Sequence, residues 1–382
     1  MAVPRVARDP RGSTPYPCMA YASAAIRGDE ALRRGWAADV RCRRASSGAL
    51  GLVLRALLAT LLTLSGWTAW AATPGTERPL TFGILPIGGP SESLEAWRPL
   101  LDDMGYALHR PVRSVSVSTY EGLAQALTEN RIDLAFVSGK LALDAVSRDQ
   151  MQVIAQLTRG DGSHGYYSVL LVEKNSPIHS LDDVFRRAGR WRYARGEALS
   201  VSGYVVPETQ LFANRKLDSD TFFASVTVDN HQNNALAVAN KEADIATNNT
   251  ADLERFATHF PEQYARLRIL WTSSLIPHAV VIMRTDLAPE LRQRVTAFIT
   301  GYAKGKNATA ERAKLKLIHD ISGFAPAGNE TLVPFADMAY TLERRRALSA
   351  QWVNDAALNA RLKKLDGDHE ALVHQLIASP QP

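Results

Sequence analysis

Cysteine is nearly absent from this sequence of 382 residues, which contains only Cys18 and Cys42. Both lie within the first 71 residues, so the rest of the chain has none. A body without cysteine cannot form disulfides, attack through a thiol or bind a metal through thiolates. Its stability must come from an apolar core, and a hydrophobic fraction of 46% is ordinary for a globular protein.

Most of the chain also lacks an excess of positive charge. The whole sequence carries +5, but residues 1–71 hold +6, which leaves −1 for residues 72–382. Nucleic-acid binding needs a concentrated cationic face, so the composition of the body argues against it. The metal-ligand spacing HExxH and the nucleophile elbow GxSxG are missing as well. We therefore expect no cofactor, no metal, no catalytic residues and no enzymatic activity.

A secretory leader accounts for the basic residues. Arg41, Arg43 and Arg44 precede the apolar run Ala56–Trp70, which ends in a small-x-small cleavage pattern at residues 69–71. Basic region, apolar stretch and small residues in this order predict a signal peptide within residues 1–71 and export to the periplasm. The alternative is an uncleaved anchor, although the run is short for a membrane-spanning helix.

Strand-like and helix-like runs alternate from Leu80 onwards. The strand-like run Leu80–Pro86 precedes an amphipathic helix over Leu94–Gly105. A second helix is predicted over Thr119–Asn130, with a threonine cap, and the apolar run Ile132–Val137 follows it. Such alternation predicts an α/β protein whose parallel sheets are covered on both faces. After Pro289 the pattern is mainly helical.

The length suits two lobes, and two polar or Gly/Pro-containing segments could connect them. These are Arg159–Gly165 and Thr272–Pro277. If both are linkers, residues 72–163 and 274–382 form a discontinuous first lobe, and residues 164–273 form an inserted second lobe. Two linkers make a hinge, and a hinge makes a cleft that can close on a ligand.

Small hydrogen-bonding residues are concentrated where a strand should lead into a helix. Ser200, Ser202 and Gly203 follow the strand-like run Arg190–Ala194. A helix start leaves backbone N–H groups unpaired, serines add hydroxyl donors, and glycine lets an anion approach. The turn could therefore hold an oxyanion without arginine or lysine. The alternative is that Ser202 only caps a helix.

Seven motifs occur in one order along the chain. They are FGILP (82–86), the tyrosine of STYEGL (Tyr120), IDLAFVSG (132–139), YYSVLLVEKNSPIHSLDD (166–183), SVSGYVVP (200–207), NHQNNALAVANKEADIATNNT (230–250) and SSLIP (273–277). In this order they resemble the phosphonate/phosphite/phosphate-type periplasmic substrate-binding proteins of ABC importers. The resemblance implies the two-lobed periplasmic-binding-protein fold (type II-like) with a hinged interlobe cleft.

The resemblance also implies a ligand site. Its predicted residues are Tyr120, Ser138, Gly139, Tyr167, Ser200, Val201, Ser202, Gly203, His231 and Gln232. In the family the serine-rich turn holds the phosphorus oxygens, and Val201 stands where a threonine is usual. Tyr120 matches a tyrosine that reaches in from the first lobe, and His231 matches a histidine at a helix start. Without the resemblance, His231 would be interpreted as a surface cap.

Some positions depart from the family pattern. Gln232 stands where glutamate is frequent, and His278 and Ala279 stand where phosphonate binders tend to show glycine and aspartate. Missing carboxylates would leave a buried ammonium unpaired, which argues against an aminoalkylphosphonate. Lys140 replaces a neutral residue, and it could either favour a more negative ligand or point to solvent.

These observations predict an exported solute-binding protein, expected to be a monomer. It would capture a phosphonate, phosphite, phosphate or related small oxyanion and deliver it to an inner-membrane ABC permease. The alternative is an anion-sensing module that reports its ligand to a membrane-bound or signalling partner. A hydrolase would need a nucleophile–base pair, which the sequence does not show.

Overall fold

The computed structural model describes residues 78–87, 90–148, 150–318 and 321–379. All of them belong to the unit Pro74–Pro382. The predicted signal peptide and the apolar run 56–70 lie outside the described residues.

The first sheet has six strands in the order β11-β4-β10-β3-β1-β2. They span Leu80–Ile84 (β1), Val112–Ser116 (β2), Leu134–Val137 (β3), Met151–Arg159 (β4), Val280–Arg284 (β10) and Ile321–Pro326 (β11). β1 runs parallel to β2 and β3, whereas β10 runs antiparallel to β3 and β4, and β11 antiparallel to β4.

The second sheet has five strands in the order β7-β6-β8-β5-β9. They span Gly165–Glu173 (β5), Arg192–Arg195 (β6), Ser225–Val228 (β7), Ile245–Asn249 (β8) and Leu267–Pro277 (β9). β6 is parallel to β7 and β8, and β5 is antiparallel to β8 and β9. The chain passes between the sheets after β4 and again after β9.

Helices cover both sheets. They span Pro90–Leu108 (α1), Tyr120–Thr128 (α2), Gly139–Val146 (α3), Leu181–Phe185 (α4), Ser219–Phe222 (α5), His231–Ala239 (α6), Thr250–His259 (α7), Pro261–Tyr264 (α8), Pro289–Gly301 (α9), Ala308–Leu315 (α10), Val333–Ser349 (α11) and Asp355–Ala378 (α12). Side-chain caps start several of them. Thr119 caps α2 by accepting from the backbone of Gly122, and Asn230 caps α6 by accepting from the backbone of Asn233.

The apolar core is distributed unequally. Around the first sheet one continuous cluster reaches from Leu80 in β1 to Leu376 in α12. At its centre the ring of Trp97 lies 5.2 Å from that of Phe82 and 4.9 Å from that of Phe136. The second sheet instead carries three separate, smaller clusters.

The predicted α/β class is confirmed, but three sequence expectations about its strands are wrong. The sheets are mixed rather than parallel. The helical C-terminal region contains a strand, Ile321–Pro326, whose glycine and proline obscure its pattern. Thr272–Pro277, which resembles a linker in sequence, forms the second half of β9. Its polar residues are explained by position, because β9 is an edge strand with partly exposed side chains.

Candidate functional site

The serine-rich turn is a wide helical turn directly after β6. Tyr204 and Val205 both donate their backbone N–H to the carbonyl of Ser200, at 3.0 and 3.1 Å. Residues Val201–Val205 and Glu208–Phe212 adopt π-helical turns on either side of Pro207. Such turns are rare and frequently occur at functional sites. Pro207 has no N–H to donate to a helical hydrogen bond. It lies between the two turns, where the helical segment accommodates this loss.

Gly203 allows the turn to pack closely against the end of β6. A Cβ atom at Gly203 would lie 2.7 Å from the Ser200 Oγ and 2.8 Å from the Cα of Gly196. Two further hydroxyls hold the turn's carbonyls. Ser168 donates to the carbonyl of Ser202 at 2.6 Å, and Thr247 donates to the carbonyl of Gly203 at 2.9 Å.

Two buried side chains, those of His231 and Asn249, contact the buried side chain of Ser202. The His231 Nε2 lies 3.2 Å from the Ser202 Oγ, and the Asn249 Nδ2 donates to the same oxygen at 3.3 Å. His231 begins α6, and Asn249 caps α7 directly after β8. Helix starts and strand ends therefore converge here, as expected for ligand sites in α/β proteins.

His231 also lies near a carboxylate. Its Nε2 is 3.9 Å from an oxygen of Asp252, which accepts a hydrogen bond from Asn249 at 2.7 Å. Burial lowers the pKa of His231, and the charge of Asp252 opposes this without reversing it. The imidazole is therefore neutral at neutral pH.

Two phenols line the same cavity as the two serines. Tyr120 is contributed by the start of α2 and Tyr166 by β5, and burial raises the pKa of both well above the usual value. Ser200 lowers the pKa of Tyr120 and Ser202 lowers that of Tyr166, but neither offsets the effect of burial. Both phenols stay protonated and can act as neutral donors.

These residues surround a cavity of about 80 Å³ with two unlike walls. The wall from the second sheet and its helices consists of Tyr166, Ser200, Val201, Ser202, His231, Asn249, Ala251 and Asp252. The wall from the first sheet and its connections consists of Leu85, Ile87, Tyr120, Phe136, Ser138, Leu157, Arg159, His278 and Ala279.

Hydrogen bonds and an ion pair join the two walls. The carboxylate of Glu197 accepts from the backbone N–H of Tyr120 at 3.1 and 3.0 Å and of Glu121 at 3.4 Å, at the positive end of α2. Ser138 donates to the carbonyl of Leu199 at 3.2 Å. Arg159 pairs with Glu254 at 2.5 Å.

A further ion pair joins Arg255 of α7 to Glu92 on α1. Together with the bonds of Glu197, Ser138 and Arg159, it shows that elements of the two sheets are in contact around the cavity.

Six predicted site residues line the cavity and four do not. Those that line it are Tyr120, Ser138, Ser200, Val201, Ser202 and His231. Gly139 packs instead against Phe335, whose ring would lie 2.2 Å from an added Cβ. Gly203 supports the turn, and Gln232 lines a smaller neighbouring cavity.

Tyr167 is 39% exposed and lies on the opposite face of β5 from Tyr166. Successive residues of a strand point to opposite faces, so a one-residue error exchanges the inward tyrosine for the outward one. Ser168, two residues after Tyr166, is fully buried.

Lys140 pairs with Asp144 one helical turn later at 2.5 Å and does not line the cavity. Sequence reasoning missed Asn249, Asp252 and Arg159 at the site. Asn249 could have been recognised as the residue between a buried strand and a helix. Asp252 had no distinguishing sequence signal.

The sequence showed no nucleophile–base pair, yet Ser202 and His231 form a close serine–histidine contact. Asp252 approaches the same imidazole nitrogen as Ser202, whereas a catalytic triad needs the carboxylate on the other nitrogen. Within the described residues, no cluster of His, Cys, Asp and Glu could hold a metal ion.

Comparison with known proteins identifies the family. Residues 82–332 match the family described as "ABC transporter, phosphonate, periplasmic substrate-binding protein". The chain belongs to this family. It is 32% identical over 323 residues to the phosphonates-binding periplasmic protein of Escherichia coli (strain K12), which covers 82% of this chain and 93% of that protein.

Solved structures of this kind agree in fold. A binding protein component of an ABC phosphonate transporter from Pseudomonas aeruginosa has a TM-score of 0.72 at 29% identity, covering 78% of this chain and 98% of that one. A Prochlorococcus marinus (MIT 9301) protein solved with methylphosphonate has a TM-score of 0.60 at 16% identity, covering 69% and 98%, which supports the fold alone.

The predicted family and the two-lobed periplasmic-binding-protein fold are thereby confirmed. The family is one of periplasmic substrate-binding components of ABC transporters. Over the ranges that the structure describes, no helix is long and apolar enough to span a membrane.

Proposed function

We propose that this chain captures a small phosphorus oxyanion in the cavity and delivers it to an inner-membrane ABC permease. The ligand class includes phosphonates, phosphite, phosphate and related oxyanions. The observation that carries the proposal is the convergence of neutral donors on Ser200 and Ser202 at the start of a helical segment.

The donors suit a tetrahedral anion. The hydroxyls of Ser200 and Ser202, the imidazole of His231 and the two backbone N–H groups that begin the wide turn, those of Val201 and Ser202, come from one wall. Hydrogen bonds from neutral groups to an anion are stronger than bonds between neutral groups, so several together can replace a cation. Arg159, the guanidinium at the cavity, is already paired with Glu254.

The opposite wall completes the site when the cleft closes. Tyr120 lines the same cavity as Ser200 from the first-sheet side, and Glu197 reaches back to the start of α2. We propose that residues 72–163 and 278–382 form the first lobe and residues 164–277 the second, because β9 stays paired with β5 as far as Pro277, and that the lobes move about the two connections. A ligand that contacts both lobes shifts the population toward the closed form.

The proposal also includes export of the protein to the periplasm and binding of the oxyanion without its chemical conversion. The basic leader and the periplasmic family support secretion across the inner membrane by a signal peptide. The position of Asp252 relative to His231 supports binding rather than hydrolysis by Ser202.

The test removes one hydroxyl from each wall. In the double variant Ser202→Ala/Tyr120→Phe, affinity for methylphosphonate, phosphite and phosphate should fall at least about a hundredfold, because hydrogen bonds to charged groups contribute about 1.5–3 kcal/mol each. Isothermal titration calorimetry measures the affinity, and small-angle scattering measures closure.

The control is Ser225→Ala, which removes an exposed serine from the edge strand β7 and should bind like the wild type. Unchanged affinity in the double variant would remove these residues from the binding site.

A further inference from the structure

The two walls of the cavity differ in chemistry as well as in origin. The second-sheet wall carries the donors, whereas the first-sheet wall is largely apolar. Its apolar residues are Leu85, Ile87, Phe136, Leu157 and Ala279. Leu157 and Ala279 are neighbours, since the N–H of Leu157 donates to the carbonyl of Ala279 at 3.1 Å.

The charges near this apolar wall are unfavourable for an ammonium group on the ligand, because the wall already carries the guanidinium of Arg159. Arg159 lies on the same strand as Leu157, and its side chain is 10% exposed and bonded to Glu254. Burial lowers the pKa of His278, whose Nε2 lies 3.2 Å from the carbonyl of Ser163. Of the described residues lining this wall, none has a carboxylate.

Asp252 belongs to the other wall. Its carboxylate accepts from Asn249 at 2.7 Å and lies 3.9 Å from the His231 Nε2, beside Ser202. It is therefore placed at the oxyanion end of the cavity. A ligand ammonium group lying against the first-sheet wall would have the guanidinium of Arg159 nearby. None of the described residues on that wall has a carboxylate to pair with it.

The size of the cavity limits the substituent that a bound oxyanion can carry. A volume of about 80 Å³ corresponds to roughly five to eight water positions at about 10–15 Å³ each. This is enough for a tetrahedral headgroup and a substituent of a few atoms.

We propose that the cavity selects phosphonates whose substituent is a short, uncharged hydrocarbon chain lying against the Leu85/Ile87/Phe136/Leu157/Ala279 wall. This rests on the proposed function, because it assumes that the oxyanion occupies the serine turn. Phosphate places a fourth oxygen against apolar side chains, and an aminoalkylphosphonate places an unpaired ammonium there.

A matched ligand pair tests this directly. Propylphosphonate and 2-aminoethylphosphonate have the same number of non-hydrogen atoms in the same chain, and differ at the terminal methyl or ammonium group. Calorimetry on the full chain should show propylphosphonate binding on the order of a hundredfold or more tighter. Methylphosphonate should bind up to about a hundredfold tighter than phosphate, as apolar pockets discriminate against a similarly sized group with added polarity.

A matched pair of variants tests the wall itself. Leu157→Asp and Leu157→Asn have similar shape and differ in charge. Leu157→Asp should bind 2-aminoethylphosphonate at least about tenfold tighter than Leu157→Asn does, because only the carboxylate can pair with the ammonium. Both variants should lose affinity for propylphosphonate.

The outcomes separate the two proposals. Tighter binding of 2-aminoethylphosphonate or phosphate than of the alkylphosphonates by the wild type would overturn the inference and leave the proposed function intact. Binding of phosphonoacetate in preference to propylphosphonate would instead assign the wall to an anionic substituent through Arg159, and would also overturn it. If no phosphorus oxyanion binds, both proposals fail.

Discussion

The regions around the two sheets are built on different principles. The first surrounds its sheet with one continuous apolar cluster, whereas most buried apolar residues of the second fall into three smaller clusters. The second region instead buries a set of uncharged polar side chains, each at most 5% exposed. They are Ser168, Ser200, Ser202, His231, Asn234, Thr247, Asn248 and Asn249.

These buried polar groups are bonded to one another and to the backbone. Asn248 donates to the carbonyl of His231 at 2.8 Å, and Asn234 donates to the carbonyl of Asp229 at 3.1 Å. Buried polar networks fix side-chain positions when their members are satisfied. We therefore expect the first region to supply most of the stability and the second to hold the donors of the proposed site in place.

Matched phenylalanine truncations should show the largest effect. Phe82→Ala empties a site beside Trp97 in the continuous cluster, and should lower the free energy of unfolding by about 4–5 kcal/mol. Phe256→Ala, in one of the small clusters and stacked on the partly buried Phe260, should cost about 3 kcal/mol. Urea denaturation measures both, and equal losses would contradict the contrast between the regions.

The buried charge of the first region should give the next largest effect. Asp133 is fully buried and accepts two hydrogen bonds from Arg78, at 3.0 and 2.7 Å, and two from Thr81, at 2.9 and 3.0 Å. Burial acts to raise the pKa of Asp133, but these bonds outweigh it and hold the pKa below the usual value. Asp133→Asn should therefore lower the free energy of unfolding by about 3 kcal/mol at pH 7.

The pH dependence of this effect has a definite sign. The folded protein has the lower pKa, so the stabilisation is present above the unfolded value of about 3.9 and is lost as the pH falls through the folded value. The difference between wild type and Asp133→Asn should narrow in urea titrations from pH 7 to pH 3. Asp102→Asn, on the exposed face of α1, should show little difference at any pH. A gap that stays constant with pH would assign the loss to packing instead.

The same contrast explains what could be predicted from sequence. Buried strands such as Leu134–Val137 and capped helices such as α2 have strong local patterns, so their positions follow from periodicity and capping. The direction of β10 and β11 depends on long-range pairing, which no local pattern specifies. Ile321–Pro326 was missed because its glycine and proline obscure the strand pattern.

The site was predictable in part for a related reason. Ser200, Ser202 and His231 are adjacent to element boundaries that the sequence marks, and the family resemblance assigned them a common role. Arg159 reaches the cavity only through the way in which the two regions face each other, and Asp252 reaches it through the packing of α7 beside His231 and Asn249. Tyr166 was missed because strand parity, rather than residue type, decides which tyrosine points inward.

The smallest predicted effect lies in the second region and concerns placement of the turn. Thr247 is fully buried, accepts from the N–H of Gly196 at 3.2 Å and donates to the carbonyl of Gly203 at 2.9 Å. The N–H of Gly196 also donates directly to that carbonyl at 3.0 Å, so the backbone groups stay paired without the hydroxyl. Thr247→Val should therefore lower the free energy of unfolding by only about 1 kcal/mol.

Ligand affinity should respond at least as strongly, because the turn that carries Ser200 and Ser202 loses one of its fixed contacts. We expect about three- to tenfold weaker methylphosphonate binding by calorimetry, equivalent to about 1 kcal/mol. Thr247→Ser keeps the hydroxyl and should retain most of the affinity. If Thr247→Val destabilises the fold as much as Phe82→Ala and binds ligand normally, the polar interior of the second region supports the fold and not the site.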